Sequence, residues 1–126
     1  MSDLLIVHRE VRPTPGDTLW GLDNRQLTRV EVLGLAAIYW PATEVQNATN
    51  IAFAESTFWT GAWAWEGEDS RGLWQINIEF WRNWASYNLF DPQINAYAAH
   101  QIWSAEGWKP WSTAKALGLS LVKPGG

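Results

Sequence analysis

Apolar residues return at helical intervals in three stretches of the chain. Thr28-Arg29-Val30-Glu31 reads as a capping box, with Thr28 as N-cap and Glu31 reaching back. Val30, Leu33, Ala37 and Ile38 come next at helical spacing, and Pro41 stops that helix. Thr43-Glu44-Val45-Gln46 reads as a second capping box, opening a helix that runs to about Glu55 or Ser56. Its alanine-rich interior favours helix and close approach of neighbours. Asp91-Pro92 starts a third helix, with Asp as cap and Pro at the first helical position. Ile94, Tyr97, Ala98 and Ile102 give it a buried stripe, and Gly107 ends it. Residues 112–117 read as one last short helix before Gly118.

Between these stretches the helical period is lost. Residues 58–70 mix aromatics with turn residues and read as irregular, with room for a short hairpin. Residues 72–77 are short and apolar, either extended or a tight turn, and residues 79–84 read as one or two helical turns. The pattern predicts a mainly α domain over residues 27–126, preceded by an arm or linker over residues 1–26. Within the arm, residues 4–7 fit a short strand, and Pro13, Pro15 and Gly16 break any regular structure after it. Pro15-Gly16-Asp17-Thr18-Leu19-Trp20 resembles the opening of a LysM repeat, although the rest of that module is missing.

Composition narrows the function. A chain of 126 residues, 47% hydrophobic, suits one domain with one core. Cysteine is absent, so there is neither a disulfide framework nor a thiolate metal site. His8 and His100 lie far apart, and no metal and no cofactor are expected. The net charge is −4 and the nine Lys and Arg are scattered, which argues against nucleic acid as partner. Residues 4–7 lack a basic flank and a small-residue cleavage site, so no signal peptide is expected. No stretch approaches the roughly 20 apolar residues of a membrane span, so no membrane insertion is expected. Eleven tryptophans stand out. Their flat apolar faces and single N–H donors suit sugar rings as well as cores. Most are expected in the core or at its edge, with at least a few lining a groove.

Glu55 is the leading chemical candidate. Ala48, Ile51 and Ala52 share its helical face, so a carboxyl ends a stripe that otherwise turns inward. Loss of hydration disfavours its charged form, and the helix C-terminal carbonyls push the same way. A carboxylic acid kept protonated near neutral pH is what glycosidic cleavage needs at the leaving oxygen. The plainer alternative is an exposed Glu on a frayed helix end.

Ala54-Glu55-Ser56 followed by Gly72-Leu73-Trp74-Gln75-Ile76-Asn77 resembles the signature of lytic transglycosylases and goose-type lysozymes, in the lysozyme-like superfamily. The longer string from Glu68 to Asn77 is similar to a branch common in phage virion and endolysin proteins, as are the segments Asp91-Pro92-Gln93-Ile94-Asn95-Ala96-Tyr97-Ala98-Ala99 and Gly107-Trp108-Lys109-Pro110-Trp111-Ser112-Thr113. The resemblance covers residues 27–113. It implies an α+β lysozyme-like fold, with an irregular or short β segment forming one wall of a cleft.

By position, the resemblance makes Glu55 the general acid and later base. Ser56 would orient the carboxyl or the substrate acetamido group. Gln75 and Asn77 would bind sugar from the cleft wall, and Tyr97 would be a cleft tyrosine near the acid. Trp74 would wall a sugar subsite or cover the acid. Asp69 is the best partner carboxylate, with Glu66 and Glu68 behind it. Asn77 stands where goose-type relatives tend to carry aspartate, which tilts the chemistry towards a transglycosylase. The implied substrate is the peptidoglycan glycan strand, reached from a phage virion or after release to the bacterial wall, with other virion proteins as partners of the arm. A non-catalytic wall-binding or structural tail module is the alternative, and chitin is a further substrate that uses the same residues.

Overall fold

The computed structural model describes residues 24–125. The strand expected over residues 4–7 and the LysM-like opening lie outside them. Helix α1 (Arg29–Tyr39) starts at the expected box: the Thr28 hydroxyl accepts from Glu31 N, and Glu31 Oε1 accepts from Thr28 N at 2.8 Å. The bond from the Thr28 backbone, then that from its hydroxyl, hold the Glu31 carboxyl below its ordinary range. Trp40 leaves the helix extended because Pro41 comes after it.

The buried face of α1 differs from the expected one. Val32 and Ala36 are buried, with Leu35 and Tyr39 packed beside them, whereas Val30 is 77% and Ile38 59% exposed. The helix is apolar on several sides, so spacing fits more than one face. The aromatic anchor at its end selects between them. Trp40 is buried and stacks on Trp108 with ring centroids 5.9 Å apart.

The second expected capping box does not form. A 3-10 turn, Ala42–Glu44, leads into α2 (Val45–Ser56), and no side chain caps either start. Glu44 Oε1 accepts instead from Trp108 Nε1 and Asn47 Nδ2, both at 3.0 Å. The carboxylate is shared between a distant indole and the amide of Asn47 in the first turn of α2.

The irregular stretch after α2 holds a three-stranded antiparallel sheet in the order β1 (Trp63–Ala64), β2 (Ser70–Arg71), β3 (Ile76–Asn77). Arg71 pairs with Trp63 on one side and Ile76 on the other. A 3-10 turn, Arg82–Trp84, comes next. Helix α3 (Pro92–Glu106) is capped as expected, Asp91 Oδ1 accepting from Gln93 N and Ile94 N, and it ends at Gly107 with φ 67°. Ala98 and Ile102 are buried as expected, but Asn95 is also buried and Tyr97 is 44% exposed. Helix α4 (Thr113–Ala116) is a single turn. Helix α1 packs on α2 and α3, α2 packs on α4, and α3 meets β3.

The buried Asn95 clasps the loop between β2 and β3. Its Oδ1 accepts from Trp74 N at 2.7 Å, and its Nδ2 donates to Arg71 O at 2.8 Å and Leu89 O at 2.9 Å. Gly72 passes beneath this clasp at φ +80°, where a Cβ would lie 2.2 Å from Leu89 O and 2.3 Å from Asn95 Nδ2. Only glycine fits there.

Indole donors tie the core together. Trp74 Nε1 donates to Ala48 O on α2 at 2.9 Å, and Trp111 Nε1 donates to Trp74 O at 2.8 Å. Trp59, Trp65 and Trp81 are half-buried. His100 lies against Tyr39, Trp40 and Trp103, and desolvation lowers its pKa. Ahead of α1, Gln26 pairs with Trp59, Arg25 N donates to Thr60 Oγ1 at 3.0 Å, and Gly61 N donates to Asn24 Oδ1 at 3.2 Å. These ties fasten residues 24–26 to the turn after α2. Among the described residues, no helix is long and apolar enough to cross a membrane.

Candidate active site

Helix α2 buries one stripe along its length, and Ala48, Ile51, Ala52 and Glu55 are each 0% exposed. Glu55 is the carboxylate of that stripe, one residue from the helix end. The chain then reverses sharply. Thr57 and Phe58 both take left-handed conformations, at φ 52° and 68°. Such residues cost about 1–3 kcal/mol each and persist only where their surroundings hold them. Ser56 does part of the holding. Its hydroxyl donates to Ala52 O at 2.8 Å and accepts from Phe58 N at 3.1 Å. Leu27 N donates to Phe58 O at 2.9 Å, and the Arg29 guanidinium lies over the Phe53 and Phe58 rings.

Helix α4 meets this end of α2. Thr113 Oγ1 donates to Glu55 Oε2 at 2.9 Å. Thr113 itself sits two residues beyond Trp111, whose indole is pinned to Trp74, whose indole in turn is pinned to Ala48. The acid and its hydroxyl partner therefore close a ring through α2, the β2–β3 loop and α4.

The hairpin carries a second polar group. Asp69 Oδ1 accepts from Trp63 Nε1 at 2.7 Å and Arg71 Nε at 2.8 Å, and Oδ2 accepts from Arg71 Nη2 at 3.0 Å. This is a two-pronged salt bridge that occupies both oxygens. Asn77 Oδ1 accepts from Asp69 N at 3.4 Å and Glu79 N at 3.1 Å. Glu68 accepts from the Ser70 hydroxyl.

The remaining expected site residues are placed differently from one another. Gln75 is buried at φ 50°, and its Nε2 donates to Ala62 O and Gly72 O, both at 3.0 Å. Its amide braces the loop from inside. Ser56 likewise spends its hydroxyl on the backbone. Trp74 is 0% exposed, its ring tilted against Trp40 at 5.3 Å, and it has no face open to a sugar. Tyr97 packs its ring on Tyr39 and Trp84, each at 5.8 Å, and with Tyr87, Asp91, Gln93 and Ile94 lines a separate cavity. Asn77 is half-buried and lines an open cavity of about 350 Å³.

A family model described as a lysozyme-like domain matches residues 36–113, more than half of the chain. The chain belongs to the lysozyme-like domain family. The match takes in Glu55, the whole hairpin, α3 and Thr113. No curated protein and no solved structure matches the chain. The family supports a peptidoglycan-directed glycosidase kind of role.

Two residues of this lysozyme-like domain are not evident from sequence. Thr113 is only the last letter of a motif, and nothing local ties it to Glu55. Asn95 does leave a signal, as a polar residue flanking an apolar stripe at helical spacing. Among the described residues, no group of three or more His, Cys, Asp or Glu side chains is placed to hold a metal ion.

Proposed function

We propose that this lysozyme-like domain cleaves the β-1,4 bond between N-acetylmuramic acid and N-acetylglucosamine, with Glu55 as general acid. The observation that carries the reading is the burial of Glu55 at the end of α2 with the Thr113 hydroxyl on its Oε2. A carboxyl group removed from water holds its proton more tightly. It gives that proton to the bridging oxygen as the glycosidic C–O bond breaks, and positive charge develops on the sugar. The carboxylate left behind then takes a proton from the incoming nucleophile.

Asp69 is a poor second carboxylate for this reaction, because Trp63 and Arg71 hold both of its oxygens. That supports a reaction run with one carboxylate, in which the substrate acetamido group assists and a sugar hydroxyl attacks internally. Asn77 would hydrogen-bond sugar through its side-chain N–H. Mass spectrometry of products released from purified walls tests the scheme. An anhydro end, one water lighter than the hydrolysis product, is expected. Products carrying added water would put hydrolysis in its place.

Thr113 acts on the acid as a positioning residue. Thr113→Val removes the donor and keeps the shape. The expected result is a fall in kcat of about ten-fold, with the alkaline limb of the pH profile moved upward, since a lost donor destabilises the carboxylate form. An unchanged profile would assign Thr113 to packing alone.

A second reading is wall binding without cleavage. The 0% exposure of Glu55 favours it, because a substrate oxygen has to reach the acid. Retention on insoluble peptidoglycan with no muropeptide released would select it. The likeness of residues 68–77 to phage virion and endolysin proteins makes a virion or a lysing cell the proposed setting. Mass spectrometry of purified particles tests that placement.

A further inference from the structure

The chain has three tyrosines, and all three meet at one place. Tyr39, Tyr87 and Tyr97 line a cavity of about 380 Å³ with Asp91, Gln93 and Ile94. Small-ligand sites span roughly 300–1,000 Å³. Tyr87 is 49% and Tyr97 44% exposed, yet both rings are held. Buried Trp84 backs Tyr87 at 4.8 Å and Tyr97 at 5.8 Å, and Tyr39 meets Tyr97 at 5.8 Å. Aromatic surface fixed in this way loses little freedom when a ligand covers it.

The polar groups of the cavity are unspent. None of the three phenol hydroxyls has a hydrogen-bond partner among the described residues. Asp91 caps α3 through Oδ1 and leaves Oδ2 without a donor among them. An apolar partner seated here would strip water from these groups and return nothing. The described lining has no Lys, Arg or His, so an anion finds no counter-charge. A cation lodged between rings needs space that Tyr39 and Tyr97, in contact with each other, do not leave. A neutral sugar meets each of these conditions. Its C–H faces cover aromatic rings, and its hydroxyl and acetamido groups exchange hydrogen bonds with phenols, amide and carboxylate.

The cavity stands away from the acid. Glu55 ends α2 beside the start of α1, where Leu27 N donates to Phe58 O and Arg29 Nη1 to Asn50 Oδ1, both at 2.9 Å. Tyr39 closes the 11-residue α1 at its other end, about 15 Å along the axis. Tyr97 comes from the second turn of α3, and Tyr87 from the loop before that helix.

We propose that this cavity is a second, non-catalytic saccharide site, which holds an uncharged N-acetylhexosamine of the wall polymer against Tyr87 and Tyr97. It rests on the peptidoglycan reading only for the source of the sugar. A domain that grips one stretch of polymer here keeps its acid site at high local concentration of another stretch.

The test uses a sulfur-linked N-acetylglucosamine trimer, whose linkages resist cleavage, and wild-type protein with ring-labelled tyrosine. Because every tyrosine lines the cavity, each labelled NMR signal reports on it. All three signals are expected to shift and to saturate together. Tyr87→Ala and Tyr97→Ala remove exposed rings, and each is expected to weaken that binding about three- to ten-fold, the range of one aromatic contact. Retention of the paired variant on insoluble peptidoglycan is expected to fall by a similar factor. Tyrosine signals that stay in place, or an affinity that both substitutions leave unchanged, overturn the proposal. So do shifts produced by raising the protein concentration without sugar, which assign the cavity to a second copy of the chain. A protein that binds the trimer through its tyrosines yet releases no muropeptide defeats the glycosidase reading and leaves this site standing.

Discussion

Glu55→Gln is expected to lower muropeptide release from purified cell walls by about 10²- to 10⁴-fold, the usual contribution of a positioned general acid. The substitution changes little else. Glutamine keeps the volume of a side chain that is 0% exposed, and its amide oxygen can still accept from Thr113 Oγ1. It has no proton to give to a leaving oxygen. A thermal melt on the same sample separates lost chemistry from lost structure. Glu55→Ala would blur the two, since it opens a hole in the stripe formed by Ala48, Ile51 and Ala52. Wild-type rates in a folded Glu55→Gln protein would falsify the assignment of the acid.

The largest stability effect is expected at Gly72. Alanine there must hold φ +80° and would put its Cβ 2.2 Å from Leu89 O and 2.3 Å from Asn95 Nδ2. The left-handed conformation costs roughly 1–2 kcal/mol for a residue with a Cβ. Relieving the contact moves Asn95, which breaks its bonds to Trp74 N, Arg71 O and Leu89 O. Buried groups left unpaired cost about 1–3 kcal/mol each. The total loss is expected to be on the order of 3–5 kcal/mol, or about 15–30 °C in Tm for a domain of this size. Gly34→Ala is the control. Gly34 lies in α1 with nothing within 4 Å of its would-be Cβ. That change is expected to raise stability by roughly 0.5–1 kcal/mol through helix propensity. A Gly72→Ala protein melting within a few degrees of wild type would refute the clasp.

The helix ends are legible where their signals are local. Thr28 with Glu31, and Asp91 with Pro92, act within one turn, so sequence neighbours suffice to find them. The box at Thr43 does not form because a 3-10 turn takes up Ala42–Glu44 and the α-helix starts only at Val45, beyond the expected cap position. The face of α1 is not legible because its apolar residues fit more than one stripe, and Trp40 decides between them only once Trp108 is in place. Tyr97 reads as core by spacing, yet Asn95 takes the inward position and leaves Tyr97 outside. Glu55 is legible from its stripe and from the motif around it. The same motif cannot tell which atoms its residues meet. Ser56 and Gln75 carry the residue types of a binding site, but both turn towards their own backbone.

Helix α4 has four residues, too few to hold a helical shape in water unaided. Its first residue nevertheless delivers a hydroxyl to the acid, and it does so on alignment borrowed from Trp111 and Trp74. Phenylalanine would fill most of the space at either position and supply no N–H. Changes at these two buried indoles thus reach Glu55, the proposed proton donor, without touching it, and under that proposal drift in this core is restrained by chemistry carried out elsewhere in the molecule.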